Sequence, residues 1–460
     1  MLPGKTKLEL DRWYPLREIP IQRQLVDDKT RYIVVAAGRR SGKTERAKRK
    51  IVKECMKHGN NLYFIAAPTY AQVKKIYWQD IKKMSIVSML ERKPSESDLI
   101  VYFNNGTELH LIGLDKPNRI EGIPWDGGII DETAYIKGDA WTNSIAPALD
   151  TLDPSKPNKK AWCWLIGKPD GLNHFYKLFQ YASASKDPEW SAYTWKSSEL
   201  LDATTIDAAK RRMSPKQFRQ EYEASFETVS GRIYEDYESS NYTNETILPH
   251  EQICYFCDFN FTPMSHGIGV CREFACSIRD KSPITGVYIL DEIVLTSAVG
   301  QDNALEFVER YKNHKNKSIR LYGDRSGKNG EKHGMQTEYS TMERVFENAG
   351  WKVDRRVHNS NPSIKDSQNA VRAKICNAND ERSLFVNTLL APWMHQGLAT
   401  VQVKSGSSFL EDDKNEYQHI TTALRYFIDY EWPIDDTIVD LNVIMFGENP
   451  YLGDDHYGTF

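Results

Sequence analysis

The sequence has little cysteine and no long apolar run. Seven cysteines in 460 residues is an odd number without the density of a disulfide framework, which points to a reducing interior. No stretch approaches the roughly 18 consecutive apolar residues of a membrane-spanning helix, so no membrane association is expected. Met1–Asp11 lacks the apolar core of a secretory signal, and the expected location is a cell interior. There is no internal repeat and no low-complexity tract. Strong net charge is also missing: 60 Lys and Arg face 63 Asp and Glu, a balance of −3. With 40% apolar and 27% charged residues the chain is globular rather than disordered. Its length suggests two or three domains, at about 150 residues each.

The charge is unevenly spread. Residues 1–60 carry 16 Lys and Arg against 7 Asp and Glu, whereas residues 405–460 carry 2 against 12. A basic end can meet phosphates, and an acidic end can meet cations or basic partners. Between them, short apolar runs alternate with helical stretches. Strands are expected at Tyr32–Ala37, Leu62–Ala67, Gly128–Asp131 and Ala161–Ile166, and helices at about 43–57 and 70–84. Asn105-Gly106 joins two alternating segments as a hairpin turn. This alternation predicts an α/β sheet covered by helices.

The segment Ala37-Gly38-Arg39-Arg40-Ser41-Gly42-Lys43-Thr44 lies between an apolar strand and a basic helix, the context a phosphate-binding loop requires. The loop and the helix start offer N–H groups to an anion. Lys43 is placed to reach the β- and γ-phosphates of ATP, and the Thr44 hydroxyl to ligate Mg²⁺. Gly38, Arg39, Arg40, Ser41 and Gly42 complete the loop, with Ala37 where a first glycine is usual. The apolar strand ending in Asp131-Glu132 supplies a metal carboxylate (Asp131) and a carboxylate to activate water (Glu132). Upstream, Gln22 in Pro20-Ile21-Gln22 has an amide able to donate to and accept from adenine.

These motifs, with Ala67-Pro68-Thr69-Tyr70-Ala71-Gln72, Arg119-Ile120-Glu121-Gly122 and Gly167-Lys168-Pro169-Asp170-Gly171-Leu172-Asn173, resemble the large terminase subunit of tailed double-stranded DNA phages. The likeness covers about residues 15–230. It implies a P-loop ATPase domain with a mainly parallel sheet, driving DNA into a procapsid. It also implies an arginine that stabilises the transferring phosphoryl group, either Arg39 in cis or Arg119 across a subunit boundary. The family usually has Thr where this chain has Lys168.

In the second half, strands are expected at Ile253–Phe259, Gly267–Arg272, Gly286–Leu295 and Ile319–Gly323, and helices at about 301–314, 337–349, 364–378 and 416–430. Asp258, Asp291-Glu292 and Asp324 are read as strand-end acids. Acids on neighbouring strands can share hard cations that flank a phosphodiester. The arrangement resembles the RNase H-like α/β nuclease domain of the same family. The resemblance implies that Asp258 and Asp324 bind Mg²⁺ or Mn²⁺, with His419 beside them. Where the family places a third acid, this chain has Thr422; Asp412, Asp413, Glu416 or Asp429 are candidates for the missing charge. Lys328, Lys332 and His333 form a basic loop suited to a DNA backbone. Cys254 and Cys257 read as strand residues, since no second pair has zinc spacing.

The expected organisation is an ATPase domain over 1–230, a linker over 231–249, a nuclease domain over 250–434 and an acidic tail over 435–460. The implied partners are double-stranded DNA, the portal protein, a small terminase subunit and further copies of the chain in a ring. The implied place of work is the host cytoplasm, docked transiently on the procapsid. The alternative is a nucleotide-dependent DNA-binding assembly module whose second domain docks without cutting.

Overall fold

The computed structural model describes residues 11–434, apart from 157–158, 185, 228–230, 260–263, 275–283, 330–335, 405–408 and 413. The acidic tail, Lys332, His333 and Asp413 therefore lie outside the described residues. The chain divides into two compact units. The first holds residues up to Ile206 together with Arg219–Thr228; the second holds Asp207–Phe218 and the chain from Val229. Among the described residues no helix is long and apolar enough to cross a membrane.

The first unit is built on a seven-stranded sheet ordered β3-β4-β2-β5-β6-β1-β7. Its strands are β1 (Tyr32–Ala37), β2 (Leu62–Ala67), β3 (Ile100–Tyr102), β4 (Glu108–Gly113), β5 (Gly127–Ile130), β6 (Trp162–Gly167) and β7 (Trp190–Trp195). All neighbours are parallel except β3 and β4, the hairpin closed at Gly106. Central parallel strands are covered on both faces, so they read as unbroken apolar runs. Every residue of β1 is buried. Ile33, Val35 and Ala37 pack towards Ala47, Ile51 and Cys55 of α2 (Lys43–Lys57), and Tyr32, Val34 and Ala36 pack with Trp141, Ile145 and Phe175.

Helix α1 (Pro20–Asp27) precedes β1. The helix expected at 70–84 forms, but its α-helical turns Tyr70–Val73 and Gln79–Met84 are joined by a π-helical turn at Lys74–Trp78. Later come α3 (His174–Ala184), α4 (Ala203–Arg212) and α5 (Pro215–Tyr222).

The second unit has a six-stranded sheet ordered β12-β11-β8-β9-β10-β13. Strands β8 (Ile253–Cys257), β9 (Met264–Phe274) and β10 (Ile284–Leu295) form an antiparallel meander. Strands β11 (Ser318–Gly323) and β12 (Lys352–Arg355) add parallel to β8, while β13 (Leu384–Val386) adds parallel to β10. A three-strand meander extended by parallel strands on the side of its first strand is the RNase H-like topology. The helices are α6 (Gly300–Arg310), α7 (Glu338–Asn348), α8 (Ile364–Ile375), α9 (Pro392–Thr400) and α10 (Gln418–Glu431).

The period-2 alternation of a strand sends its side chains to both faces of the sheet. Phe256 stacks on Phe427 of α10 at 5.3 Å between ring centroids. Tyr255 meets Phe307 of α6 and Phe346 of α7 on the other side. Cys254 and Cys257 are buried in this strand, as their alternation suggests.

The stretch 231–249, expected as a linker, is anchored in this unit. Ile233, Tyr234 and Tyr237 lie in its core, and Asn241 donates to the carbonyls of Ile375 and Leu384. Its polar residues hid three large apolar anchors.

Candidate functional site

The chain leaves β1 at Ala37 and turns through Gly38–Gly42 into α2. Gly42 has φ 80°, a left-handed conformation that costs glycine little. A Cβ on Gly38 would collide with the Ser197 hydroxyl and the Tyr222 carbonyl, so only glycine fits where later segments press on the loop. The first N–H groups of α2 lack helical acceptors and form an anion-binding end. Lys43 is buried beside them, its Nζ 3.4 Å from the Gly38 carbonyl. Burial lowers its pKa, while the charges of Glu132 and Asp131 act the other way.

Asp131 follows β5 and gathers donors. The Thr44 hydroxyl donates to Oδ2 at 2.9 Å, the Tyr77 hydroxyl donates to the same oxygen at 2.6 Å, and the Glu132 N–H donates to Oδ1 at 2.8 Å. Glu132 has φ 52° and Arg40 φ 55°, the kind of local strain that a packed surrounding must hold in place. Glu132 Oε2 is buried without a hydrogen-bond partner. Burial first, then the charge of Asp131, raises the Glu132 pKa; Lys43, Lys168 and Arg39 act against that rise. The donor set of Thr44 and Asp131 consists of hard oxygens, which fits Mg²⁺.

Gln22 is buried, its amide donating to the Ser41 carbonyl at 2.8 Å and accepting from Arg46 at 3.4 Å. The structure thus brings Gln22 directly onto the loop. Arg39 donates to Glu221 Oε2 at 2.8 Å, and Lys168 donates to Glu221 Oε1 at 3.2 Å. Arg119 is set apart, half-exposed and 3.4 Å from Asp115. Sequence reasoning missed Glu221 and Tyr77. Neither had a local signal, since each acts through a partner distant in the chain.

In the second unit, Asp258 follows β8 and Asp324 follows β11. These strands are parallel neighbours, so both acids emerge at the same sheet edge. His419 Nδ1 lies 3.0 Å from Asp258 Oδ2, and the Tyr426 hydroxyl donates to Asp324 Oδ2 at 3.0 Å. Asp324 Oδ1 accepts from the Ser326 N–H and from Asn361. Burial pushes the Asp324 carboxyl up, but these donors and Tyr426 hold it below the usual range. His419, Thr422 and Tyr426 share one face of α10, at three- and four-residue spacing.

The acid beside Thr422 is one the sequence did not single out. Glu411 Oε2 is 3.4 Å from the Thr422 hydroxyl, and its other oxygen accepts from Gln368. Arg425 donates to Thr422 and lies 3.5 Å from Glu411. Of the proposed substitutes, Asp429 pairs with His358, Asp412 caps the turn at Lys414, and Glu416 is exposed.

Asp291 and Glu292 are not strand-end acids, because β10 runs on to Leu295. Asp291 pairs with Arg310 and accepts from Tyr311, and Glu292 accepts from the first N–H groups of α9. Among the described residues, no three His, Cys, Asp or Glu side chains stand close enough to hold a metal ion.

A loop-bearing parallel sheet with Lys43, Thr44, Asp131 and Glu132 at its edge defines a P-loop nucleotide-binding unit, joined in one chain to an RNase H-like unit. The sequence family described as "Terminase large subunit, T4likevirus-type, N-terminal" matches residues 34–240. The chain is 27% identical over 233 residues to the terminase large subunit of Escherichia phage T5, covering 50% of this chain and 51% of that one. It is 25% identical over 253 residues to that of Thermus phage G20c, covering 48% and 50%. By these matches the chain is similar to phage large terminases over its first half. It spans about half the length of the curated relatives it matches. The large terminase of a thermophilic bacteriophage shares the fold at TM-score 0.58 and 15% identity, over 90% of this chain and 99% of that one. That terminase has also been solved with ATP-γ-S and with ADP.

Proposed function

We propose that the chain is an ATP-hydrolysing DNA-packaging motor whose second unit cuts DNA. The observation that carries the first activity is the buried carboxylate of Glu132. It has one oxygen without a partner, next to the Asp131–Thr44 pair and the buried amine of Lys43. A carboxylate with an open acceptor position and a raised pKa is suited to orient water and take its proton. Lys43 neutralises phosphate charge at the helix start, and Arg39 adds charge where the transferring group becomes more anionic. Mg²⁺ held by Thr44 and Asp131 would supply charge neutralisation between phosphates. The thermophilic phage terminase that shares this fold was solved with ATP-γ-S, which supports the reading.

In the second unit, Asp258, Asp324 and His419 would hold Mg²⁺ or Mn²⁺, which supplies Lewis acidity at a phosphodiester. His419 and Tyr426 orient the two carboxylates. The partners that go with this reading are duplex DNA, the portal ring, a small terminase subunit and further copies of the chain. The domain division at about residue 230 is part of the same proposal, with 231–249 belonging to the nuclease unit.

The test is ATP turnover and nucleotide binding. Lys43→Ala should lose binding. Glu132→Gln should keep it and lose about 10²–10⁴-fold in turnover, the usual weight of a general base. Wild-type turnover by Glu132→Gln would sink the assignment. One observation favours a second reading for the second unit. Thr422 stands where the family has an acid, and Glu411 beside it is already shared by Gln368 and Arg425. On that reading the unit docks DNA without cutting it, and wild-type chain would leave a plasmid intact at every Mn²⁺ concentration.

A further inference from the structure

Glu221 lies on α5, 182 residues from Arg39 in sequence. Its carboxylate is almost fully buried, with one oxygen on Arg39 and the other on Lys168. Its backbone carbonyl also accepts from the Arg39 N–H at 2.6 Å. Arg39 belongs to the phosphate loop, and Lys168 follows β6, the strand between β1 and β5. Strands β5, β6 and β1 are parallel neighbours, so Glu132, Lys168 and the loop emerge at the same end of the sheet. Three cations, Arg39, Lys43 and Lys168, thus face three acids, Asp131, Glu132 and Glu221.

We propose that Glu221 is an internal counter-ion that holds Arg39 and Lys168 until the terminal phosphate of ATP competes for them, so that Lys168 distinguishes ATP from ADP by charge. This rests on the ATPase reading above. The chemistry follows from desolvation. A buried cation left without an anion is costly, so Arg39 and Lys168 need a partner in every state of the site. A γ-phosphate offers more acceptor oxygens and more charge than one carboxylate. A β-phosphate that ends the chain, as in ADP, leaves Glu221 as the nearer partner. A lysine at this position brings a positive charge as well as hydrogen-bond donors. Glu221 is a positioning residue in this scheme, since it acts through the two cations.

The experiment measures ATP and ADP affinity by equilibrium titration in full-length Glu132→Gln chain, which does not consume ATP. Lys168→Ala should weaken ATP roughly ten- to a hundredfold, the range for a hydrogen bond between charged groups, and leave ADP nearly unchanged. Glu221→Gln is of the same size and removes the negative charge that both cations share. It should tighten ATP more than ADP, and enlarge the melting-temperature rise that ATP produces. In the Lys168→Ala background Glu221→Gln should tighten ATP less than it does in the parent, because the two residues share one ion pair. Equal effects on ATP and ADP, or weaker ATP binding by a folded Glu221→Gln chain, would overturn the inference. Should Glu221→Gln fail to fold, Lys168→Ala and Lys168→Met decide it alone through the ATP-to-ADP ratio. A parent chain that binds neither nucleotide would overturn the ATPase reading together with this one. A parent that binds ATP while Lys168→Ala keeps the ratio would overturn this inference only.

Discussion

The Tyr77 hydroxyl donates to Asp131 Oδ2 at 2.6 Å from within the π-helical turn Lys74–Trp78. A π-turn inserts a residue into an α-helix and shifts the side chains that follow. Tyr77 is fully buried, and burial with the charge of Asp131 keeps its hydroxyl protonated. It is therefore a permanent donor to the carboxylate that also accepts from Thr44. Tyr77→Phe should cost about 1–3 kcal/mol of stability, since it removes a buried hydrogen bond to a charged group. Asp131 keeps Thr44, so turnover should fall less than in Asp131→Asn. Urea unfolding and steady-state ATP hydrolysis measure both; turnover as low as that of Asp131→Asn would mean that Tyr77 does more than hold Asp131.

Arg39 and Arg119 differ in setting. Arg39 is mostly buried against Glu221, whereas Arg119 is half-exposed beside Asp115. For the isolated chain, Arg39→Ala should lower turnover about 10²–10³-fold, the typical effect of removing one preorganised donor. The change in nucleotide affinity should be smaller. Arg119→Ala should leave isolated-chain turnover within about twofold, as expected of an exposed pair, and act only when copies assemble. Equal losses in binding and turnover for Arg39→Ala would make it a passive phosphate contact.

Glu292 gives a prediction that concerns pH. Burial pushes its carboxyl up to about 7, although the Trp393 and Met394 N–H groups favour the ionised form. Unfolded, it titrates near 4.5. Between these values the folded chain holds a proton that the unfolded chain has released. The stability it contributes is full below 4.5 and is lost as pH rises through about 7, on the order of 3 kcal/mol. Glu292→Gln should flatten this slope in chemical denaturation between about pH 5 and 8. An unchanged slope would show that Glu292 is not its source.

The parts legible in the sequence are those whose meaning is local. Strand β1, the loop and α2 form one contiguous phosphate-binding segment, and Asp131-Glu132 follows an apolar strand. Asp258 and Asp324 were legible because strand-end acids announce themselves by position. Strand β7 was not, because Trp190–Trp195 borders the sheet and is mostly half-buried, without a clean apolar alternation. Asp291-Glu292 misled for the converse reason: a register shift between Ile289 and Asp291 lets acids sit inside a continuing strand. Glu221 and Glu411 face partners brought to them only by tertiary packing. No periodicity marks such a carboxylate among the many that simply face solvent.

The nuclease reading turns on α10. Asp258→Asn and Asp324→Asn keep the size of the side chain and one acceptor oxygen; the latter can still cap the turn at Ser326. Each should abolish plasmid cleavage while ATP hydrolysis persists, since the two sites lie in separate units. Thr422→Asp restores an acid on the helix face shared by His419 and Tyr426, where Arg425 already donates. Two carboxylates and an imidazole leave a pair of divalent cations under-neutralised, and affinity for such cations rises with the number of charged ligands. The Mn²⁺ concentration for half-maximal cleavage should therefore fall by about tenfold in Thr422→Asp. Glu411→Gln should raise that concentration if Glu411 compensates for Thr422, and leave it unchanged if Glu411 serves only Arg425. Cleavage at the wild-type rate by Asp258→Asn would place the cutting site elsewhere.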